Sequence, residues 1–168
     1  DAIEAASARY ASAHVDTRTV KIYLDGVPTG ARTAAMLAPY LPHPDHRADA
    51  RGHLHVDEAV LAQDLVALER RGFTVKLHTA GDRAVHVALN AIERAHADSG
   101  STAIRHELAH AGFIQASDLP RFRALNVVAD LSPYLWYPSP MIDAVRSAVG
   151  ARVDGYWPVR TLYESGAP

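Results

Sequence analysis

Apolar and polar positions divide the chain into short runs of period two, each followed by a stretch with helical spacing. Thr19 to Asp25 sets Val20, Ile22 and Leu24 against Lys21, Tyr23 and Asp25, which reads as a strand ended by Gly26. Phe73 to Thr79, Ala103 to Ala111 and Val127 to Ser132 predict three more strands. Between them the period changes. Asp57 is placed to cap a helix running to Arg71, with Val60, Leu61, Leu65 and Leu68 on one face and Gly72 at its end. Val85, Ala88, Leu89 and Ile92 recur at i, i+3, i+4 and i+7 in the next helix, which Asp82 could cap near Arg83. Ser117 opens a short helix through Phe122 and Leu125, Ser139-Pro140 opens another, and Trp157 to Ser165 predicts a last one. The alanine-rich stretch from Ala2 to Ala13 adds a helix ahead of the first strand.

Four strand-then-helix units in series predict an α/β fold with parallel strands joined by right-handed crossovers. Four units are about half of an eight-unit barrel. The expected fold is therefore a partial (β/α)8 TIM-type barrel, a single domain over residues 1–168. The end strands of such a piece would present unpaired edges, and its inner face near Tyr23 and Leu131 is expected to be apolar. Either a homodimer through those edges or coverage by the long 27–56 segment would relieve this.

Composition narrows the partners. Net charge is −2, from 17 basic and 19 acidic side chains, and no basic stripe points to nucleic acid. No apolar run approaches the ~20 residues needed to span a bilayer, and no signal peptide opens the chain, so no membrane partner is expected. Cysteine is absent, which removes disulfides and thiolate metal sites and makes a cytoplasmic location the expectation. The chain starts on Asp rather than Met, and a longer natural protein is expected. Histidine stands out, with ten residues.

Candidate chemistry centres on Leu77-His78-Thr79-Ala80-Gly81-Asp82-Arg83. A strand delivers His78 at its C-terminal end, where loops of α/β folds gather their reactive groups. Lys21 lies within the first strand and His110 closes the third, so Lys21, His78 and His110 are candidate metal ligands. Each also has a plain structural reading: a snorkelling strand lysine, a hydrogen-bonded histidine at a helix start, a strand-end histidine. Gly81 and Asp82 read as turn and cap, and Arg83 as the partner of a nearby carboxylate. His43, His46, His86 and His96 read as solvated, and Tyr134, Trp136 and Tyr137 as core or interface. A competing motif overlaps the third strand. His106-Glu107-Leu108-Ala109-His110 is a literal H-E-x-x-H, which on a helix would set both histidines around zinc with Glu107 as base of a metallopeptidase. A strand at this place favours the first set of ligands; a helix favours the peptidase.

The residues also carry a resemblance. Val20-Lys21-Ile22-Tyr23-Leu24-Asp25-Gly26 with Ala31-Arg32-Thr33-Ala34-Ala35 resembles the lysine-strand motif of metal-dependent amidohydrolases, in the branch of the N-substituted formamide deformylases. Some members of that branch are called exoenzyme-regulatory proteins. Leu77-His78-Thr79-Ala80-Gly81-Asp82-Arg83-Ala84 resembles its next motif. Arg105-His106 through His110-Ala111, Leu119-Pro120-Arg121-Phe122 and Leu131-Ser132-Pro133 resemble the two after that. The resemblance implies strands four to seven of a barrel that holds one or two divalent ions, usually zinc. Lys21 would be the carboxylated lysine, His78 and His110 the histidine ligands, and the substrate a small-molecule amide or N-formyl compound cleaved at its C–N bond. The family's first-strand His-x-His and eighth-strand aspartate fall outside this chain. His53-Leu54-His55 precedes a helix rather than lying on a first strand and does not replace them. Ala109 stands where a glutamate is usual, and Ser132 where a glutamine is common. Weak or absent metal binding and no turnover are expected of this chain alone, and a non-catalytic regulatory module is the alternative.

Overall fold

A computed structural model describes residues 2–100, 102–132, 135 and 137–168. In chain order the elements are α1 (Ala2–Tyr10), β1 (Thr19–Tyr23), α2 (Glu58–Glu69), β2 (Thr74–Thr79), α3 (Asp82–Ser99), β3 (Glu107–His110), α4 (Leu119–Ala124), β4 (Val128–Asp130), α5 (Pro140–Val149) and α6 (Val159–Glu164). A 3-10 turn, Gly150–Gly155, joins the last two. The strands form one sheet in the order β1-β2-β3-β4, and every pairing is parallel. This is the α/β alternation that the apolar periods predict.

The register sorts the side chains onto two faces. Val75, Leu77 and Leu108 are fully buried and pack with Leu61, Leu65 and Leu68 of α2 and Val85, Ala88, Leu89 and Ile92 of α3. Each such Leu or Ile contributes about 1.5–3 kcal/mol through burial. Lys21 pairs with Lys76, Tyr23 with His78, Lys76 with Glu107 and Ala109 with Asp130, so these residues share the opposite face. That face is charged, which corrects the apolar one expected: Lys76 Nζ lies 3.3 Å from Glu107 and 2.5 Å from Asp130. Its charges are matched across three strands.

The other departures are local. Val60 is about half exposed, and the buried face of α2 is Leu61, Ala62, Leu65, Leu68 and Glu69. Gly81, not Asp82, is the N-cap of α3. Asp82 instead accepts the Leu37 N–H at 2.7 Å and ties the loop down. The 27–56 segment packs at the carboxyl end of the sheet, where its His55 N–H donates to the Leu24 carbonyl at 2.9 Å just past β1. Its Ala35 carbonyl accepts the Arg83 and Ala84 N–H groups at 3.0 and 3.3 Å, satisfying two donors that α3 leaves open. A second apolar cluster joins this segment (Ala34, Met36, Tyr40) to Ala80, Phe113, Val145 and Val149. No helix among the described residues is long and apolar enough to cross a membrane.

Candidate active site at the carboxyl ends of the strands

Asp25 organises the site, two residues past β1. It is 1% exposed, and its carboxylate accepts four N–H groups. Oδ1 takes Ala80 N–H at 2.9 Å and Oδ2 takes Gly81 and Ala35 N–H at 2.9 and 3.0 Å. The fourth donor is His78 Nδ1, 3.1 Å from Oδ1. With both oxygens already accepting, the proton between them resides on Nδ1, and His78 Nε2 has no hydrogen-bond partner among the described residues. A carboxylate behind a histidine in this way fixes its tautomer and ring orientation. Gly81 is required by the same packing, because a Cβ there would collide with the Ala35 carbonyl.

His110 completes a pair. Its ring meets that of His78 edge-on, with centroids 4.8 Å apart at 67°, and its Nδ1 lies 3.0 Å from Ser132 Oγ. Among the described residues His110 Nε2 has no hydrogen-bond partner. Burial pushes the His110 imidazole below its ordinary pKa, and the neighbouring His78 and Lys21 add to this, so it favours the neutral, ligating form. On its other side the His78 ring stacks on Tyr23 at 5.2 Å, and Lys21 Nζ lies 5.5 Å from the centre of the Tyr23 ring. Partial burial and the adjacent Lys76 ammonium hold the Lys21 amine below the usual lysine range. Lys21, Tyr23, His78 and His110 thus form a continuous run of contacts on one face. The two histidines are adjacent, and Lys21 stands one pleat further down β1.

An apolar recess of about 90 Å³ opens beside the histidines, lined by Val27, Pro28, Leu135, Met141, Tyr156 and Trp157. Tyr134 and Trp136 lie outside the described residues, and Tyr137 is 64% exposed.

The H-E-x-x-H reading fails on two counts. Glu107–His110 is a strand, so the two histidines do not share a helical face. His106 instead points to the other end of the sheet, where its Nδ1 accepts the Val75 N–H at 3.0 Å and its Nε2 meets Glu69 Oε1 at 2.8 Å. His96 Nε2 lies 3.4 Å from the same oxygen, so His96 is buried and not solvated. Glu69, His96 and His106 lie within metal-binding reach of one another. The hydrogen bonds speak for a structural role, however. With Nδ1 accepting, His106 carries its proton on Nε2 and donates it to Glu69, which leaves no lone pair for a cation. His86 is likewise engaged, 3.1 Å from the buried Asp118. Among the described residues the Arg83 guanidinium meets no carboxylate; its Nη2 contacts the Gly52 carbonyl at 3.5 Å.

Asp25 and the backing role of Ser132 were not legible as site features. Asp25-Gly26 reads as a turn signal at a strand end, and nothing local marks a carboxylate that will meet a histidine 53 positions later.

A polar centre with paired, braced histidines at the carboxyl ends of parallel strands defines the class: an α/β protein with a rim site. The chain belongs to the amidohydrolase family, whose model matches residues 1–168. It is 30% identical over 122 residues to YtcJ of Bacillus subtilis (strain 168), a protein named as an amidohydrolase, covering 72% of this chain and 21% of that one. Two solved structures share the fold: uncharacterized metal-dependent hydrolases from Pyrococcus furiosus and Pyrococcus horikoshii OT3. Each has a TM-score of 0.68 and 26% identity; they cover 86% and 87% of this chain, which spans 28% and 27% of theirs. The chain therefore corresponds to about a quarter of the relatives it matches, and its family is hydrolytic.

Proposed function

We propose that this chain is the central part, about strands four to seven, of a (β/α)8 barrel that hydrolyses a C–N bond of a small amide or N-formyl substrate. The observation that carries the reading is the His78–His110 pair, edge to face at 4.8 Å with each Nδ1 engaged and neither Nε2 hydrogen-bonded among the described residues. Two imidazoles so placed suit a divalent ion, zinc above all. Lys21 would join them as its carbamate: the neutral amine adds to carbon dioxide and releases one proton. Its lowered pKa favours the neutral amine that this step needs. When bound, such an ion supplies Lewis acidity toward an amide carbonyl and toward water.

The chain's own residues have distinct tasks. Asp25 holds the proton on His78 Nδ1, Ser132 backs His110, and the recess beside them takes an apolar part of the substrate and excludes water. The resemblance to N-substituted formamide deformylases favours an N-formyl group. The family's remaining ligands come from its first and eighth strands, so this chain alone binds metal weakly and does not turn over. β1 pairs on one side only among the described residues, which favours a partner along that edge, either the rest of the barrel or a second copy; on the outer side of β4 the Ala129 N–H donates to the Pro168 carbonyl at 3.3 Å.

Zinc titration of the purified chain tests the site. Micromolar or weaker binding, lost in His78→Ala and in His110→Ala, is the expected result. Binding that survives both substitutions but disappears in Glu69→Gln would overturn the reading in favour of the buried cluster at the other end of the sheet.

A further inference from the structure

His110 reaches His78 only because the backbone breaks the rule of the strand. Pairing sets His110 opposite Thr79, which shares the helix-packed face with Val75 and Leu77 and is fully buried. Continued pleating would turn the His110 ring into that layer, away from His78. The chain instead turns left-handed at His110 (φ 71°) and stays so at Ala111 (φ 41°). For non-glycine residues this conformation is strained, and it persists only where the surroundings over-determine it.

The compensating contacts come from Trp157. Its indole Nε1–H donates to the His110 carbonyl at 3.1 Å, and its backbone N–H donates to the Gly112 carbonyl at 2.7 Å. The two bonds clamp the left-handed pair from either side. Trp157 is itself left-handed, at φ 53°, and its ring stacks on Tyr156 at 4.0 Å, which stacks on Phe113 at 4.6 Å. Gly112 makes the clamp fit, since a Cβ there would run into the Tyr156 ring. Three strained residues separated by up to 47 positions thus share one hydrogen-bonded knot beside the recess.

We propose that Trp157 is the positioning residue for His110, holding its left-handed backbone so that the imidazole faces His78. The proposal rests on the reading of His110 as a ligand, but it concerns the metal-free protein, so its test is separate from the zinc titration. The experiment is NMR of the whole metal-free chain with labelled histidine rings. The unsubstituted chain shows a through-space contact between the His78 and His110 ring protons. Trp157→Phe, which keeps an aromatic ring but removes the donor, loses that contact. Adding Ala111→Gly, which relieves the strain at one of the two left-handed residues, restores it at least in part. A merely structural tryptophan would not be rescued in this way. Full contact retained in Trp157→Phe, or no recovery in the folded double variant, would overturn the proposal. If Trp157→Phe does not fold, exchange of the Trp157 indole proton in the unsubstituted chain decides. Slow exchange supports the clamp, and exchange as fast as that of a free indole rejects it. Zinc binding unchanged by His110→Ala, with the ring contact present in the unsubstituted chain, would count against the ligand reading alone.

Discussion

His78 Nδ1 lies 3.1 Å from Asp25 Oδ1, and that carboxylate simultaneously accepts three backbone N–H groups from the two loops that form the rim. One buried side chain therefore sets a ring tautomer and holds the 27–36 loop against the start of α3.

Asp25→Asn separates these duties. An amide in the same place presents N–H to at least one of the donors it should accept. A buried unsatisfied polar group costs about 1–3 kcal/mol. The expected loss is in that range, read from the urea midpoint at constant slope, and the ring nitrogen shifts of His78 should show the proton leaving Nδ1. Unchanged stability together with an unchanged tautomer would refute the bracing role.

Gly81→Ala should destabilise by about 1–3 kcal/mol, because the added methyl must displace the Ala35 carbonyl that caps α3. Thermal unfolding measures this. Gly155→Ala, where nothing lies within 4 Å of the added group, is the control and should change little.

Burial lowers the pKa of His106 in the folded chain below its ordinary value of 6.5. The unfolded chain therefore binds the proton first. Stability from this group is full above about pH 6.5 and is lost progressively as pH falls from there through the folded pKa. His110 shifts in the same direction and adds to the trend. Urea midpoints between pH 7.5 and 5.5 should fall for the natural sequence and fall less for His106→Gln. A flat profile in the natural sequence would remove the basis for this account.

Arg32 is 6% exposed, sits at φ 51°, and has no partner for Nε or Nη1 among the described residues. Arg32→Gly removes a buried charge and relieves a left-handed residue worth roughly 1–2 kcal/mol, against about 0.5–1 kcal/mol of added freedom in the unfolded chain. A net gain in melting temperature is expected. A drop of several degrees would mean that the guanidinium is satisfied after all.

Lys76→Met should raise the pKa of the Lys21 amine toward its ordinary value, since it removes a nearby positive charge and frees Glu107 and Asp130 to act on Lys21. Titration of selectively labelled lysine reads this directly. No upward movement would show that burial alone sets the Lys21 amine.

The amino-acid sequence by itself determined the order of elements, the four parallel strands and the positions of His78 and His110 at strand ends. These follow from periods of two and 3.6 that each segment carries locally, as the buried Val75-x-Leu77 and Val85, Ala88, Leu89, Ile92 patterns illustrate. Tertiary structure alone decided the rest. Whether His110 faces His78 depends on two left-handed residues held by a tryptophan 47 positions away. The role of Asp25 depends on donors from two separate segments, Ala35 and His78 to Gly81. The open face became charged because Lys76 meets acids on two neighbouring strands. Side-chain period is a property of one element, whereas acceptor counts, tautomers and ring contacts exist only between elements, once packing has brought them together.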